Sequence, residues 1–283
     1  MSDFLGLLLR GFVMGMADLV PGVSGGTMAF ILGIYERFMQ ALKSLNTDAL
    51  YHFITFRWKL VWHEVDFKTL AGVGFGILMA LFVFTQIIPL VAWVTAYKPQ
   101  FYGFFFGMVF ATVILFLTQQ KSSKFLRLLT LVAGTAIGLG FTSLELSALP
   151  NTKPYIFLSG MVAVSAMLLP GISGSYILLM LGKYELIIGA LTYHQWPVLG
   201  IFLAGMVLGM LLFVRVLTWL LSKYHATMLM FITGLIAGTL PQLWPLRYIT
   251  SPNVEELGII GLCLVAGVIL ISLLHWFQVR LSD

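Results

Sequence analysis

Two short segments rich in proline, glycine and hydroxyl side chains contain the residue types and spacings that could do chemistry. The first covers residues 21–27, Pro-Gly-Val-Ser-Gly-Gly-Thr, and the second covers residues 170–176, Pro-Gly-Ile-Ser-Gly-Ser-Tyr. In each, the proline ends a helix, and the glycines allow backbone conformations that a Cβ would forbid. Since both segments interrupt apolar stretches, we expect broken helices, the first restarting near Ser24 or Thr27.

A helix that restarts in an apolar medium leaves its first backbone N–H groups unpaired, which an anion such as phosphate would correct. Neighbouring hydroxyls add further donors. The predicted phosphate-binding residues are therefore Pro21, Gly22, Ser24, Gly25, Gly26, Thr27, Pro170, Gly171, Ser173, Gly174, Ser175 and Tyr176. Alternatively, the serines cap the half-helices and the glycines permit close packing between membrane helices, although two copies of the motif make this interpretation less favoured.

Ionisable residues within apolar stretches are functional candidates because charge is costly there. Asp18 is a candidate for binding and releasing H⁺ or Na⁺, and its alternatives are a helix cap or a partner for Arg10. Arg10 offers phosphate a bidentate fork but can instead snorkel to the interface, the interpretation we favour for Arg215. Glu36 and Glu185 are further ion-coupling candidates, with location at the interface as the alternative.

Composition indicates a membrane protein rather than a soluble one. Hydrophobic residues make up 60% of the chain, charged residues 10%, and the mean hydropathy is +0.99. Continuous apolar runs such as residues 70–93 favour spanning helices over a barrel, so we predict an all-α integral membrane protein with one domain, 1–283. Neither the five histidines nor the single cysteine has metal-ligand spacing, so we predict no metal or cofactor. We attribute the net charge of +5 to the side of the membrane that the loops face, and we predict no nucleic-acid partner.

A shift of 149 positions superposes the two motif regions, which indicates an internal repeat. The matches are Pro21/Pro170, Gly22/Gly171, Ser24/Ser173, Gly25/Gly174, Leu32/Leu181, Gly33/Gly182, Tyr35/Tyr184 and Glu36/Glu185. Each repeat, about 1–145 and about 150–283, is predicted to be a re-entrant or broken helical hairpin followed by three transmembrane helices. An odd number of crossings per repeat makes the two inverted. The predicted spans are 70–95, 101–118, 126–143, 197–221, 226–245 and 256–278.

The distribution of basic residues predicts the orientation. With the N-terminus inside, ten lysines and arginines fall on the inner side and four, Lys98, Lys153, Lys183 and Arg247, on the outer side. We therefore expect a multi-pass protein of the bacterial inner membrane with both termini cytoplasmic. Residues 46–68 suit either an amphipathic helix on the inner surface or a solvated loop.

The segment from Gly15 to Thr27, with Gly33-Ile34-Tyr35-Glu36 and the second motif, resembles the PopT family of bacterial polyprenyl-phosphate transporters from end to end. The resemblance implies return of undecaprenyl phosphate, a carrier of cell-envelope precursors, from the outer to the inner leaflet. Oligomeric state is left open. The membrane potential opposes inward movement of the phosphate anion, which gives a reason for coupling its transport to H⁺ or Na⁺. The aromatic run Tyr102, Phe104, Phe105, Phe106 and Met108 is a candidate flank for the lipid tail, with ordinary lipid-facing surface as the alternative.

Two other functions stay open at this point. The motif is also similar to the Pro-Gly-x-Ser-Arg-Ser segment of undecaprenyl-pyrophosphate phosphatases, but Gly25 and Gly174 stand at the arginine position. Cleavage of a phosphoester needs concentrated positive charge or a metal, so we favour binding without catalysis. A channel or transporter for small anions would use the same glycine and serine groups.

Overall fold

A computed structural model describes residues 2–20, 23–88, 90–119, 124–143 and 149–282, and every regular element in them is helical. Helices satisfy their own backbone groups, which lipid cannot do. The α-helices are α1 Ser2–Asp18, α2 Gly25–Ile31, α3 Tyr35–Lys43, α4 Thr47–Ile54, α5 Trp58–Glu64, α6 Phe67–Phe82, α7 Leu90–Ala96, α8 Lys98–Gln119, α9 Lys124–Ser143, α10 Lys153–Leu168, α11 Gly174–Met180, α12 Tyr184–Thr192, α13 Trp196–Lys223, α14 His225–Thr239 and α15 Val254–Ser282. A π-helix, Val83–Ile87, continues α6, and 3₁₀ turns Leu240–Leu243 and Pro245–Tyr248 follow α14.

Five stretches of the described residues are long and apolar enough to cross a bilayer, which confirms the all-α membrane class. They are Phe67–Ile87, Lys98–Thr118, Trp196–Lys223, His225–Tyr248 and Val254–Trp276. A sixth crossing is reached only if the pair α11 and α12, bent by 110°, counts as one broken span. Leu128–Phe141 and Lys153–Leu168 are apolar but shorter.

The two motif regions have the same local structure. Helices α2 and α11 begin and end 149 positions apart, as do α3 and α12. Between the short helices, Gly33 and Gly182 have φ of 68° and 65°, a conformation that glycine adopts at little cost. The repeat of the hairpin is therefore present in the backbone, while the inversion of the two halves stays a prediction.

Each hairpin brings the chain back to the end from which it started. In the first, Arg37 on α3 donates to both carboxylate oxygens of Asp3 at the start of α1, at 2.8 and 3.0 Å. In the second, the backbone N–H of Leu149 donates to the Leu181 carbonyl at 3.1 Å, and the buried Lys183 ammonium donates to the Asn151 side chain at 2.6 Å. Both hairpins thus fold back toward their starting ends, while their re-entrant placement in the membrane stays a prediction.

The longer helices pack in four principal pairs: α1 with α6, α10 with α13, α8 with α15, and α9 with α14. Each of the last two pairs joins a helix of the first half to one of the second. Small residues allow close approach, as where Gly107 on α8 lies against the backbone of Leu264. The main core combines both halves and includes Met28, Tyr35, Leu217 and Ile236.

Three sequence predictions need correction. The span predicted at 70–95 divides into α6 with its π-helix, ending at Ile87, and a separate α7. Residues 46–68 form two short helices, α4 and α5, because Phe56 between them has φ of 55° and interrupts the helix. In the aromatic run, Tyr102, Phe105 and Met108 are buried in the core, so they cannot line a lipid-facing flank.

Candidate functional site

The first motif positions Asp18 against the start of α2. Asp18 is the last residue of α1, and its Oδ1 accepts a hydrogen bond from the backbone N–H of Gly25 at 2.6 Å. A Cβ added at Gly25 would overlap the Asp18 carboxylate, so glycine is what permits this approach. The cap at this helix start is therefore Asp18, whereas Ser24, the residue at the N-cap position, makes no side-chain cap.

The two motifs meet through a direct hydrogen bond between residues 144 positions apart. The backbone N–H of Gly171 donates to Thr27 Oγ1 at 2.7 Å. Gly171 has φ of +94° and faces the α14 backbone, where an added Cβ would lie 3.2 Å from Ile236 Cα. A Cβ on Gly26 would come 2.9 Å from the Met167 carbonyl oxygen. Glycines thus allow the two broken helices to approach each other within the helix bundle.

A small cavity of about 10 Å³ lies between the motifs and next to α8 and α14. Its lining includes Val23, Ser24, Thr27, Val109, Gly171, Thr239 and Leu243. Ser24 is 3% exposed, and its hydroxyl has no hydrogen-bond partner among the described residues. A buried hydroxyl without a partner is costly, so Ser24 is suited to bind an oxygen of a ligand or of water. A space of this size holds about one water molecule, so binding of a phosphate group requires the motifs to move apart.

The second motif presents its polar groups more openly. The hydroxyls of Ser173 and Ser175 lie 2.8 Å apart, with Ser175 exposed, and Tyr176 half-buried beside them. Among the described residues, no acceptor pairs with the backbone N–H groups of Gly174, Ser175 or Tyr176 at the start of α11. This arrangement offers neutral donors to an anion. No arginine or lysine in the described part of the chain hydrogen-bonds to either motif.

Pro170 is buried at the turn before α11, while Pro21 and Gly22 lie outside the described residues. Arg10 is half-buried on α1, about 12 Å along the helix axis from Asp18. No ion pair between these two residues is present, so the predicted partnership of Asp18 with Arg10 is not formed in this conformation. Arg215 is exposed on α13 and takes no part in the site.

The two glutamates lie away from the motifs and differ from each other. Glu36 Oε1 lies 2.8 Å from His225 Nε2, which links α3 to the start of α14 at an exposed position. Glu185, its repeat counterpart, is exposed and has no ion pair among the described residues. Neither glutamate contacts Asp18, so the structure does not bring the three predicted coupling residues together.

One contact near the motifs was not predicted from the sequence. The buried hydroxyl of Tyr35 donates to the Leu168 carbonyl at 2.8 Å, next to the second motif. The only sequence signal for this contact was that Tyr35 matches Tyr184 in the internal repeat. That signal could not show the partner, because Leu168 is 133 positions away and the bond is made to its backbone.

The chain resembles characterised proteins over most of its length. Residues 14–276 match a family model described as undecaprenyl phosphate translocase-like. A Vibrio cholerae polyprenyl-phosphate transporter is 39% identical over 262 residues, covering 90% of this chain and 82% of the relative. A Staphylococcus aureus polyprenyl-phosphate transporter is 29% identical over 258 residues, covering 84% of this chain and 85% of the relative. No solved structure matches; the family resemblance predicted from the motifs is confirmed by these relatives.

Proposed function

We propose that this chain, which belongs to the undecaprenyl phosphate translocase-like family, returns undecaprenyl phosphate from the outer to the inner leaflet of the cytoplasmic membrane. The supporting observation is the Gly171 N–H to Thr27 Oγ1 hydrogen bond, which brings two broken-helix motifs together inside one bundle. Broken helices whose ends meet within the membrane are typical of transporter substrate sites. The relatives' names agree with polyprenyl phosphate as the lipid carried.

In this mechanism the phosphate group replaces the contact between the motifs. The Thr27 and Ser24 hydroxyls bind its oxygens from one side, and the Ser173 and Ser175 hydroxyls with the N–H groups of α11 bind from the other. An anion in hydrocarbon loses its hydration, and these neutral donors substitute for the lost water. The tail stays in the surrounding lipid. Because no charged donor among the described residues hydrogen-bonds to the motifs, the phosphate can leave again on the inner side.

Ion coupling follows from electrostatics. Moving a phosphate anion from a positive exterior to the interior is opposed by about 2.3 kcal/mol per charge per 100 mV. A cation that travels with it removes this penalty. Asp18 is the proposed carrier of H⁺ or Na⁺, because its carboxylate lies at the start of α2, in direct contact with the motif that binds phosphate. A change in its charge would alter the cap on Gly25.

Hydrolysis of undecaprenyl pyrophosphate is the alternative that the motif similarity raises. The described contacts give the site neutral donors and one carboxylate, whereas phosphoryl transfer is catalysed by concentrated positive charge or metal ions. A small-anion channel would need no lateral opening for a lipid tail. The neutral donors favour binding over cleavage, and the relatives' names favour a polyprenyl phosphate over a small anion, so we propose translocation of the intact lipid.

The test is purified protein in liposomes with undecaprenyl phosphate in one leaflet. Exposure of the lipid headgroup in the other leaflet is followed over time, with inorganic phosphate release and ionic current measured in the same preparation. We expect protein-dependent leaflet exchange without phosphate release and without current. Release of phosphate from undecaprenyl pyrophosphate, supplied in a parallel preparation, would favour the enzyme, and current without lipid exchange would favour the channel.

A further inference from the structure

A groove with a wholly apolar lining lies along the seam between α13 and α14. Its volume is about 340 Å³, and its lining includes Leu169, the residue directly before Pro170. Phe213 and Leu220 on α13 and Met228 and Phe231 on α14 form its walls. The lining presents only apolar surface. Through Leu169, the groove therefore reaches a residue that adjoins the second motif in the chain.

The groove follows the direction that a lipid tail would take from that motif. Phe213 and Leu220 are separated by about 10 Å along α13, so the groove extends toward the α13–α14 turn. Val216, between them, is 53% exposed and opens the groove to the surrounding lipid. Helices α13 and α14 each pack mainly on other partners, α10 and α9, which leaves the seam between them less filled.

We propose that this groove binds the isoprenoid tail of the transported polyprenyl phosphate while the phosphate lies between the two motifs, an inference that rests on the proposed function. A long isoprenoid chain is flexible and purely apolar, so burial against apolar walls is its only source of specific attraction. Among the grooves of the described residues, this one combines a wholly apolar lining with a residue that adjoins the second motif, and a tail must begin close to its phosphate. The groove then discriminates polyprenyl phosphates from short prenyl phosphates, which share the headgroup.

Helix α13 offers a matched pair of substitutions. Val216 and Val207 are both on α13 and are 53% and 54% exposed. Nine positions apart, they lie on opposite faces of the helix, so Val207 lines a different groove, formed with α4 and α5. Val216→Trp should fill the tail groove, whereas Val207→Trp adds the same bulk elsewhere.

The experiment compares leaflet exchange of undecaprenyl phosphate and farnesyl phosphate by the wild type and both variants. We expect Val216→Trp to slow undecaprenyl phosphate exchange by about tenfold and to leave farnesyl phosphate unchanged, with Val207→Trp like the wild type for both. Equal rates for the two variants, or an equal loss for both lipids in Val216→Trp, would overturn the tail groove.

A binding measurement keeps the inference testable if a tryptophan variant does not fold. A photoreactive benzoylphenylalanine replaces Val216 or Val207, and labelled undecaprenyl phosphate is crosslinked in liposomes. The tail groove is supported if excess unlabelled undecaprenyl phosphate abolishes crosslinking at position 216 and excess phosphatidylglycerol does not. Equal competition by both lipids would contradict it. Failure of the wild type to exchange either lipid would contradict the proposed function, while the crosslinking result still decides the groove.

Discussion

Thr27 accepts a hydrogen bond from the backbone N–H of Gly171, so one side chain of the first motif satisfies a backbone donor of the second. Thr27 is 4% exposed, and replacement of its hydroxyl would leave the Gly171 N–H unpaired at a cost of about 1–3 kcal/mol. We expect Thr27→Val to lose most lipid exchange and Thr27→Ser to retain it. Leaflet exchange per folded protein is the measurement; equal activity of the two variants would show that the contact is dispensable.

Valine at Gly25 or Gly174 should abolish exchange while leaving folded protein in the membrane. At Gly25 the new side chain would displace the Asp18 carboxylate, and at Gly174 a Cβ would lie 3.0 Å from the Ala163 carbonyl oxygen. Gly200→Val on α13 is the control, because no atom lies within 4 Å of a Cβ added there. Exchange assays on detergent-stable, monodisperse protein provide the comparison. Wild-type rates of lipid exchange in both motif variants would show that these glycines serve only helix packing.

The helix breaks in the two hairpins were predictable because their signals are local. Proline and glycine break the helices at the motifs, and the 149-position match places Gly33 and Gly182 at the second turn, where both adopt positive φ. By contrast, the break at Phe56 carries no glycine or proline signal, so α4 and α5 looked like one amphipathic segment. The π-helix at the end of α6 was equally invisible in a continuous apolar run.

Within the site, the sequence indicated the candidate residues but not the partners that these residues contact. Asp18 was a candidate because a carboxylate in an apolar stretch is costly, but the hydrogen bond to Gly25 depends on how the chain turns between them. The Tyr35 contact with Leu168 joins the two halves, and no local pattern encodes it. Such long-range contacts follow from packing of whole helices rather than from residue type.

Cysteine labelling tests the predicted inverted topology, on a background in which Cys263 is replaced by alanine. The predicted orientation places ten basic residues on the inner side and four on the outer side, and the six reporter positions are divided between the two sides. Cysteines replacing Lys98, Lys153 and Arg247 should react with an impermeant reagent from outside, and those replacing Lys59, Lys124 and Lys223 only after permeabilisation. Labelling at position 124 from outside would contradict the inverted arrangement.

The start of α1 is joined to α3 and α6 by ionic contacts whose pH dependence can be predicted. Hydrogen bonds from Arg37 and Lys68 hold the pKa of Asp3 well below its usual value. Since the folded-state pKa is the lower one, Asp3 stabilises the fold above the unfolded pKa of about 3.9, and this stabilisation is lost as pH falls through the folded value. Asp3→Asn should therefore lower the melting temperature at pH 7, and the difference should narrow only below about pH 4. Asp48→Asn, at an exposed carboxylate without an ion pair among the described residues, should change little.

The role of Asp18 can be separated into its cap and its charge. Asp18 Oδ1 accepts from the Gly25 N–H at 2.6 Å, and an asparagine can keep this acceptor while losing the titratable, cation-binding carboxylate. Asp18→Ala removes both. If Asp18 carries the coupling ion, Asp18→Asn should still bind undecaprenyl phosphate but lose the acceleration that an imposed H⁺ or Na⁺ gradient gives the wild type.

Comparison of the wild type, Asp18→Asn and Asp18→Ala with and without each gradient, at matched protein levels, distinguishes the two roles. Coupling through Asp18 predicts that neither variant responds to a gradient, and that Asp18→Ala is also less stable because the start of α2 loses its cap, an effect of about 0.5–2 kcal/mol. A structural role alone predicts that Asp18→Asn responds as the wild type does and that only Asp18→Ala is impaired. In that case the cation must bind elsewhere, and Glu36 and Glu185 become the residues to test, beginning with Glu36 because its contact with His225 joins α3 to α14.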